Sequence, residues 1–392
     1  MNIEEIQRRV ASVADEFAQD RPARQLRRHL DIEDFRKLAE AGFLLSGVPA
    51  EQGGLWTDIQ RSTRPISELL RTIARADGSV ALVASMHPAV LSFWLGQPEA
   101  PAPYTEAWAA QRRLVAQTAL DNCWWGTITS EPGSGGDVGK TKTLARPSAD
   151  PSLRSRAGSA YAITGQKHFG SGSGITSYMI TTALPEGEEL ADWFFLDVRE
   201  ANWDGSNGMK LTAEWDGHGM AATQSHAFAF SSYPATRMAW PGNLYAVSAV
   251  IGAFVSSLFT AVVAGVTQSA VEAARASLAK KKDTLRPYEQ VEWARVENEA
   301  WLIDQAYEGM LRAVEAKGAG AVLEALHGKT SIAELAESVT QRICRVVGGG
   351  SFHRASPFGA AFEDVRALGF LRPPWGLAHD TILALTWASI EP

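Results

Sequence analysis

Two runs, TITSEPGSGGD at residues 127–137 and GQKHFGSG at residues 165–172, carry most of the information about the fold of this 392-residue chain. The first ends a β-favouring stretch and then turns, which leaves backbone amides and three hydroxyls facing one place. The second is extended and presents the ring of Phe169 and, two residues on, the hydroxyl of Ser171 on the same side. Together they can hold a flat heteroaromatic ring, with an aromatic side chain against its face and donors at its polar edge. The alternative is that both are ordinary glycine-rich turns of a β-domain.

Both runs lie in a segment whose character differs from the rest of the chain. Between Trp124 and Pro241 the sequence is rich in Gly, Ser and Thr, and short β-favouring runs such as YAITGQKHF and DWFFLDV are separated by turn signals. This spacing predicts a sandwich or barrel. We therefore predict an α+β protein with an N-terminal helical domain at residues 1–123, a central β-domain at 124–241 and a C-terminal helical bundle at 242–392.

The flanking regions have helical periodicity. Asp31 precedes an amphipathic run as an N-cap, and Gly42 ends that helix. A second helix is predicted from about Ser62 to Ala84, among four to six in the N-terminal domain. In the C-terminal domain we expect a charge-free helix, then helices from Arg286 to Lys317 and from Thr330 to Val347, then a short last helix.

Composition excludes several classes of protein. The chain has 37 basic and 44 acidic residues, a formal net charge of −7, so no basic excess exists to bind nucleic acid. Its two cysteines form no disulfide framework, zinc spacing or CxxC motif, and no other metal-ligand motif is present, so we predict no metal site and a cytoplasmic location. Residues 246–266 are apolar enough to span a membrane, but their serines, threonine and glycines favour a helix buried within a bundle.

Five elements, in order, resemble the acyl-CoA dehydrogenase superfamily of flavoproteins, over nearly the whole chain. GFLL and VPAEQGGL (42–45 and 48–55) look like the family's N-terminal element, and SEPGSGGD (130–137) looks like its Thr-Glu-Pro-Gly-Ala-Gly-Ser-Asp signature. GQKHFGS (165–171) is similar to its flavin strand, and WDGHGM (215–220), with the following Ser225 and His226, to its next β-element. GGG (348–350) with DVR (364–366) resembles its C-terminal glycine turn and Arg-Asp-Ala-Arg segment.

The resemblance implies a helical domain, a β-domain and a four-helix bundle, with flavin held between the last two. It implies that Phe169 lies on the flavin ring and that Ser171 hydrogen-bonds near N5. It also implies FAD, with FMN as the alternative, and a homodimer or homotetramer in which distal contacts reach a neighbouring subunit's cofactor. The full set of implied cofactor-binding residues is Thr127, Thr129, Ser130, Phe169, Gly170, Ser171, Arg286, Gln290, Gly348 and Gly349.

One essential feature of the dehydrogenases is absent. Their catalytic Glu, which removes the substrate α-proton, lies six residues beyond the second Arg of Arg-Asp-Ala-Arg, and here 366 + 6 is Arg372. The family's other location for this Glu falls near Val255, in the charge-free stretch. A guanidinium cannot serve as a base at neutral pH. The family's signature Ser near CoA is Gly136, and Glu363 replaces the first Arg, which weakens the expectation that CoA binds.

Some members of this superfamily lack this Glu and are oxygenases, in which reduced flavin reacts with O₂ and oxygen is transferred to the substrate. We therefore expect a flavin-dependent monooxygenase acting on a small organic or CoA-thioester substrate, with O₂ and a separate flavin reductase or electron-transfer protein as partners. The expected catalytic residues are His87, Ser171 and Arg372, and the aromatic-rich end around Phe370 and Trp375 suits an aromatic substrate.

Several alternatives stay open at this stage. One alternative is that His87 is an ordinary hydrogen-bonded histidine of a helix and that Arg372 forms a salt bridge with Asp364 or Asp380. A second is that the protein is a true dehydrogenase whose base has moved, with Asp380 the first residue to test. A third is that it is a non-catalytic member that binds only flavin or a partner protein.

Overall fold

Six α-helices precede the first strand in the computed structural model, which describes residues 2–148 and 160–388. They are α1 (Ile3–Gln19), α2 (Arg21–Gln25), α3 (Ile32–Glu40), α4 (Ile59–Ala74), α5 (Gly78–Leu95) and α6 (Thr105–Leu120). As predicted, the Asp31 carboxylate caps α3 by accepting from the amide of Glu33, and Gly42 follows the helix in the left-handed conformation.

The single helix predicted from Ser62 to Ala84 is wrong, because two helices occupy this segment. Asp77 lies between α4 and α5, and its carboxylate accepts a hydrogen bond of 3.0 Å from the amide of Val80. A side-chain cap of this kind starts a new helix and lets the chain turn. Almost every residue of α5 is buried, because the helix packs between α4, α7 and the first strand.

Within residues 2–148 and 160–388, seven strands form one sheet that closes on itself. They are β1 (Trp125–Thr127), β2 (Leu144–Pro147), β3 (Ala160–Gly170), β4 (Tyr178–Pro185), β5 (Asp192–Asp197), β6 (Met209–Ala213) and β7 (His226–Arg237). The pairings run β4–β2–β3–β7–β5 and return from β5 to β4, which makes a five-stranded barrel, while β1 joins β4 and β6 joins β7 at its sides. Alternate residues of the strands fill the barrel with a core that includes Ile163, Phe194 and Phe228.

The C-terminal region is helical, as predicted. It comprises α7 (Leu244–Ala279), α8 (Pro287–Lys317), α9 (Val322–Val347), α10 (Pro357–Val365) and α11 (Trp375–Ala388). Helix α9 begins at Val322 and not at the predicted Thr330. The two helical regions pack on each other through α4 and α5 against α7, with the barrel beside them.

Among the described residues, two helices are long and apolar enough, by length and composition, to cross a membrane. These are α5 and α7, and their most apolar windows are 89% and 78% buried inside the protein. Burial of this extent is typical of core helices, because a membrane span exposes its apolar surface to lipid. The structure therefore accounts for the charge-free sequence of α7 by packing.

The close approach of α4 and α7 depends on a missing side chain at Gly265. A Cβ at Gly265 would lie 2.5 Å from the carbonyl oxygen of Arg71 and 2.8 Å from Cβ of Ala74. We expect Gly265→Ala to lower the free energy of unfolding by about 1–3 kcal/mol, because the two helices must separate. Chemical denaturation measures this change.

Gly252, on the same helix, is the matched control, because a Cβ there meets nothing within 4 Å. Gly252→Ala should stabilise the protein by about 0.5–1 kcal/mol through helix propensity alone. Equal effects of the two substitutions would contradict this account of the α4–α7 contact.

Candidate functional site

The two loops at residues 127–137 and 165–172 lie side by side. Short antiparallel bridges join Thr127 to Ser171 and Ser130 to His168, and the amide of His168 donates to the carbonyl of Ser130 at 2.8 Å. The loop that follows β1 is thereby fixed against the end of β3. The end of β3 leaves its regular pairing with β7 at this point, through a register shift between Lys167 and Gly170.

A buried ion pair locks the two loops together. The ammonium of Lys167 lies 2.6 Å from Oε1 of Glu131, and the side chains are 0% and 5% exposed. Lys167 also donates to the carbonyl of Thr182 at 2.6 Å, while the Glu131 carboxylate accepts from the amide of Lys142 at 2.6 Å. Burial alone would raise the pKa of Glu131, but Lys167 and these hydrogen bonds outweigh it and hold the pKa at about 2. The carboxylate is therefore ionised and fully engaged at neutral pH.

Phe169 is presented to solvent in a strained backbone conformation. Its φ is 58°, in the left-handed region that a phenylalanine rarely adopts, and its side chain is 55% exposed. The next residue, Gly170, is packed so closely that a Cβ would lie 2.9 Å from Oγ of Ser173. An exposed aromatic face held by strain and close packing is a surface that suits a flat ligand.

The threonines and serines of the two loops that were expected to bind the cofactor differ in their exposure. Thr127 and Ser130 are partly exposed, whereas Thr129 and Ser171 are buried. Oγ of Ser171 lies 2.8 Å from Oγ of Ser225, a residue that the sequence indicated only as part of a family element.

Arg372, which precedes α11, is hydrogen-bonded to the loop at residues 127–137. Its Nη1 donates to the carbonyl of Gly136 at 2.6 Å, and its Nη2 donates to Oγ1 of Thr129 at 2.8 Å. Neither Asp364 nor Asp380 pairs with it, and within residues 2–148 and 160–388 no carboxylate lies within ion-pair distance of it. Burial lowers the pKa of Arg372 to about 10, which leaves it protonated at neutral pH. The structure thus brings an unpaired positive charge to the two loops.

A second buried cation, missed in the sequence, supports the loop that carries Arg372. The ammonium of Lys329, on α9, is 1% exposed and donates to the carbonyl of Pro373 at 2.8 Å. Pro374 packs against Gly136, where a Cβ would lie 2.6 Å from its ring. No signal in the sequence distinguished this lysine from those on the surface, because its burial is a tertiary property.

The carboxylates near the site are committed to structural contacts. Glu131 is held by Lys167, and the Asp137 carboxylate accepts from the amide of Gly139 and lies 3.7 Å from the ammonium of Lys140. The uncharged first half of α7 borders this loop, since a Cβ at Gly139 would meet the hydroxyl of Tyr245. Asp380 lies on α11 and is exposed.

His87 has the geometry of a structural residue. It is 0% exposed, its Nε2 donates to the carbonyl of Leu44 at 3.1 Å, and its Nδ1 accepts from the amide of Trp125 at 3.3 Å. Burial lowers its pKa to about 3, so the imidazole is neutral. Both ring nitrogens are occupied by the backbone, and this arrangement does not support the expected role of His87 as a polar group facing the substrate.

Four of the expected cofactor-binding residues make no contact with the two loops in the described part of the chain. They are Arg286, Gln290, Gly348 and Gly349. Arg286 and Gln290 are exposed at the start of α8, and the side chain of Gln290 donates to the carbonyl of Leu285. Gly348 and Gly349 follow α9 at the surface. Their contacts with the distal half of a cofactor remain a prediction.

The arrangement at the two loops fits a flavin. An exposed aromatic face, hydroxyls at its edge and a protonated guanidinium match a flat heteroaromatic ring whose polar edge gains negative charge on reduction. Thr129 and Arg372 are hydrogen-bonded to each other in this arrangement.

We expect Lys167→Met to destabilise the protein strongly, by about 3–5 kcal/mol, because Glu131 would remain buried and charged without its partner. Arg275→Met is the control, since Arg275 and Glu297 form an exposed pair worth about 1 kcal/mol or less. Chemical denaturation compares the two. Lys167→Met/Glu131→Gln should recover part of the loss, and a loss for Lys167→Met no larger than that for Arg275→Met would contradict the role of the pair.

His87 predicts a pH dependence of stability. Its folded pKa of about 3 lies below the unfolded value near 6.5, so below pH 6.5 the unfolded chain binds a proton that the folded protein excludes. The stability of the wild type relative to His87→Gln should therefore fall as pH decreases from 6.5 to 4, by at most about 1.4 kcal/mol per pH unit. Denaturation at several pH values tests this, and a difference independent of pH would show that His87 titrates normally.

No family model matches the sequence. L-evernosamine nitrososynthase of a Micromonospora species is 23% identical over 367 residues, which cover 87% of this chain and 80% of that protein. Among solved structures, KijD3 in complex with FMN and a dTDP-linked amino-keto sugar has a TM-score of 0.80 at 19% identity and covers 100% of this chain and 94% of its own. FMN-bound TdsC from Paenibacillus sp. A11-2 has a TM-score of 0.77 at 17% identity and covers 96% of each chain.

TdsC is described as a dibenzothiophene monooxygenase. Agreement over whole chains, together with the order of helical region, barrel and helical bundle, identifies the architecture that the sequence predicted. The chain has the acyl-CoA dehydrogenase fold.

Proposed function

We propose that this protein is a flavin-dependent oxygenase that uses reduced flavin and O₂ to oxidise a small organic molecule. The observation that carries the proposal is Arg372, which occupies the sequence position of the dehydrogenase base and is hydrogen-bonded to Thr129 and Gly136. A desaturating dehydrogenase needs a carboxylate at its substrate, and a protonated guanidinium cannot remove a proton. The names of two similar proteins, a nitrososynthase and a dibenzothiophene monooxygenase, support the same reaction class.

Bound reduced flavin supplies two electrons to O₂, so that one oxygen atom enters the substrate and the other leaves as water. The residues of this chain hold and orient the reactants. Phe169 would hold one face of the ring, the hydroxyls of Thr127, Thr129 and Ser130 would bind its polar edge, and Ser171 would hydrogen-bond at N5. Arg372 keeps a positive charge where negative charge accumulates on reduction, and a charge fixed in a partly dry site stabilises it more strongly than water does.

The first half of α7 forms an uncharged wall of the substrate pocket in this proposal. Tyr245 lies next to Gly139, and the segment that contains Gly252 and Val255 has no charged residue. A wall of this composition excludes water and accepts an apolar or aromatic substrate. It also supplies no base at the family's other location.

The substrate is a small organic molecule or an acyl or aromatic CoA thioester. The dTDP-linked sugar bound to KijD3 and the indole bound to TdsC support a small molecule, and the FMN in both supports a flavin. We retain FAD as the predicted cofactor and FMN as the alternative. The family resemblance implies contacts with the distal half of FAD, which FMN lacks, and these contacts reach the cofactor of a neighbouring subunit. The residues concerned are Arg286, Gln290, Gly348 and Gly349. Electrons come from a separate reductase or electron-transfer protein.

The proposed enzyme is a soluble cytoplasmic homodimer or homotetramer. Burial of α5 and α7 supports solubility. Large apolar side chains are exposed on α8 and α11, which supports association through the C-terminal bundle. They are Tyr288, Val291, Trp301, Leu302, Leu383, Leu385 and Trp387.

Reaction of the anaerobically reduced flavoprotein with O₂ tests the proposal by stopped-flow absorbance. We expect a transient species distinct from both reduced and oxidised flavin. Arg372→Met should shorten its lifetime roughly 10- to 100-fold, because a charge-assisted hydrogen-bonding group is lost. Arg366→Met, which removes an exposed arginine paired with Glu363, should leave the lifetime unchanged.

Two other results would contradict the oxygenase. Reoxidation without a transient, together with anaerobic reduction of the flavin by an acyl-CoA thioester, would establish a dehydrogenase, and Asp380→Asn would then test the relocated base. Failure of bound flavin to be reduced by any substrate or reductase would establish a non-catalytic binding protein.

A further inference from the structure

A chain of buried hydroxyl groups leads away from Ser171. Its Oγ lies 2.8 Å from Oγ of Ser225, which lies 2.8 Å from Oγ1 of Thr223. Thr223 in turn lies 2.9 Å from the carbonyl oxygen of Met220. The three hydroxyl residues are at most 8% exposed, so water does not compete for these contacts.

The carbonyl at the far end fixes the direction of every hydrogen bond in the chain. A carbonyl oxygen has no proton, so Thr223 must donate to Met220. Each hydroxyl has a single proton, so Oγ1 of Thr223 accepts from Ser225, and Oγ of Ser225 accepts from Ser171. Ser171 therefore commits its proton inward and presents only lone pairs to the site.

We propose that Thr223 and Ser225 are positioning residues that make Ser171 a hydrogen-bond acceptor for the N5 position of the flavin. The inference rests on the proposed function, in which Ser171 meets N5. N5 of oxidised flavin is an acceptor, and N5 of reduced flavin carries a hydrogen and donates. The lone pair that Ser171 presents can accept from N5 of the reduced ring, but it faces another acceptor at N5 of the oxidised ring. The site therefore binds reduced flavin more tightly than oxidised flavin.

This preference agrees with the proposed supply of electrons by a separate enzyme. A site that selects reduced flavin takes it from a reaction that reduces flavin elsewhere, and it releases the oxidised flavin afterwards.

The test measures the dissociation constants of FMN and of FAD, each in the oxidised and the dithionite-reduced form, under anaerobic conditions. The wild type should bind the reduced form more tightly. Ser225→Ala and Thr223→Val should each reduce that preference about tenfold, because the proton of Ser171 is freed to donate to oxidised N5. The midpoint potential of the bound flavin should fall in both variants, since oxidised flavin is then favoured.

Two further variants separate the chain from a general loss of packing. Thr223→Ser keeps the hydroxyl and should keep the wild-type preference. Thr176→Val removes a buried hydroxyl that has no hydrogen-bond partner in the described part of the chain, and it should also leave the preference unchanged. Thermal unfolding confirms that each variant is folded. If Thr223→Val does not fold, the contrast between Ser225→Ala, which should lose the preference, and Thr223→Ser, which should keep it, carries the test.

Three results would overturn the inference. Equal affinity of the wild type for both oxidation states, or unchanged ratios in Ser225→Ala and Thr223→Val, would remove the role of the chain while leaving the proposed oxygenase intact. Binding of neither FMN nor FAD in either state would overturn the proposed function itself.

Discussion

The buried ion pair between Lys167 and Glu131 is the interaction on which the rest of the site depends. It joins the loop after β1 to the end of β3, and the two bridges beside it set the register of both segments. A charged pair in a dry interior is stable only while both partners and their hydrogen bonds are in place. The strained backbone of Phe169 and the inward-facing hydroxyl of Ser171 follow within four residues of the lysine, so they inherit their positions from it.

The positive charge of Arg372 faces this fixed edge. The guanidinium of Arg372 is hydrogen-bonded to the same loop that the ion pair fixes. Lys329 donates a hydrogen bond to the carbonyl of the next residue, Pro373. Lys329 is buried and Arg372 is partly buried, so water screens their charge less than it would at the surface. In the proposed oxygenase this cation takes the place of the proton-removing carboxylate, and the uncharged first half of α7 is compatible with that change.

The sequence predicted the order of helical and β regions, the cap at Asp31 and the two loops, because these depend on local periodicity, turn residues and caps. It did not predict the break at Asp77, since the sequence has helical periodicity on both sides of it. Lys329 and Thr223 were missed because burial and side-chain partners arise from distant elements. The partners of His87 could not be predicted for the same reason, because its helix gives no sign that the backbone of Leu44 and of Trp125 contacts both ring nitrogens.

The central claim is that the two loops and Arg372 form one flavin site, and a crystal structure of the protein with FMN or FAD tests it most directly. We predict the flavin ring against Phe169, N5 within hydrogen-bond distance of Oγ of Ser171, and the guanidinium of Arg372 on the same side as the hydroxyl of Thr129. A flavin bound elsewhere, or a ring at this site with a carboxylate and not Arg372 facing its reactive edge, would contradict the account.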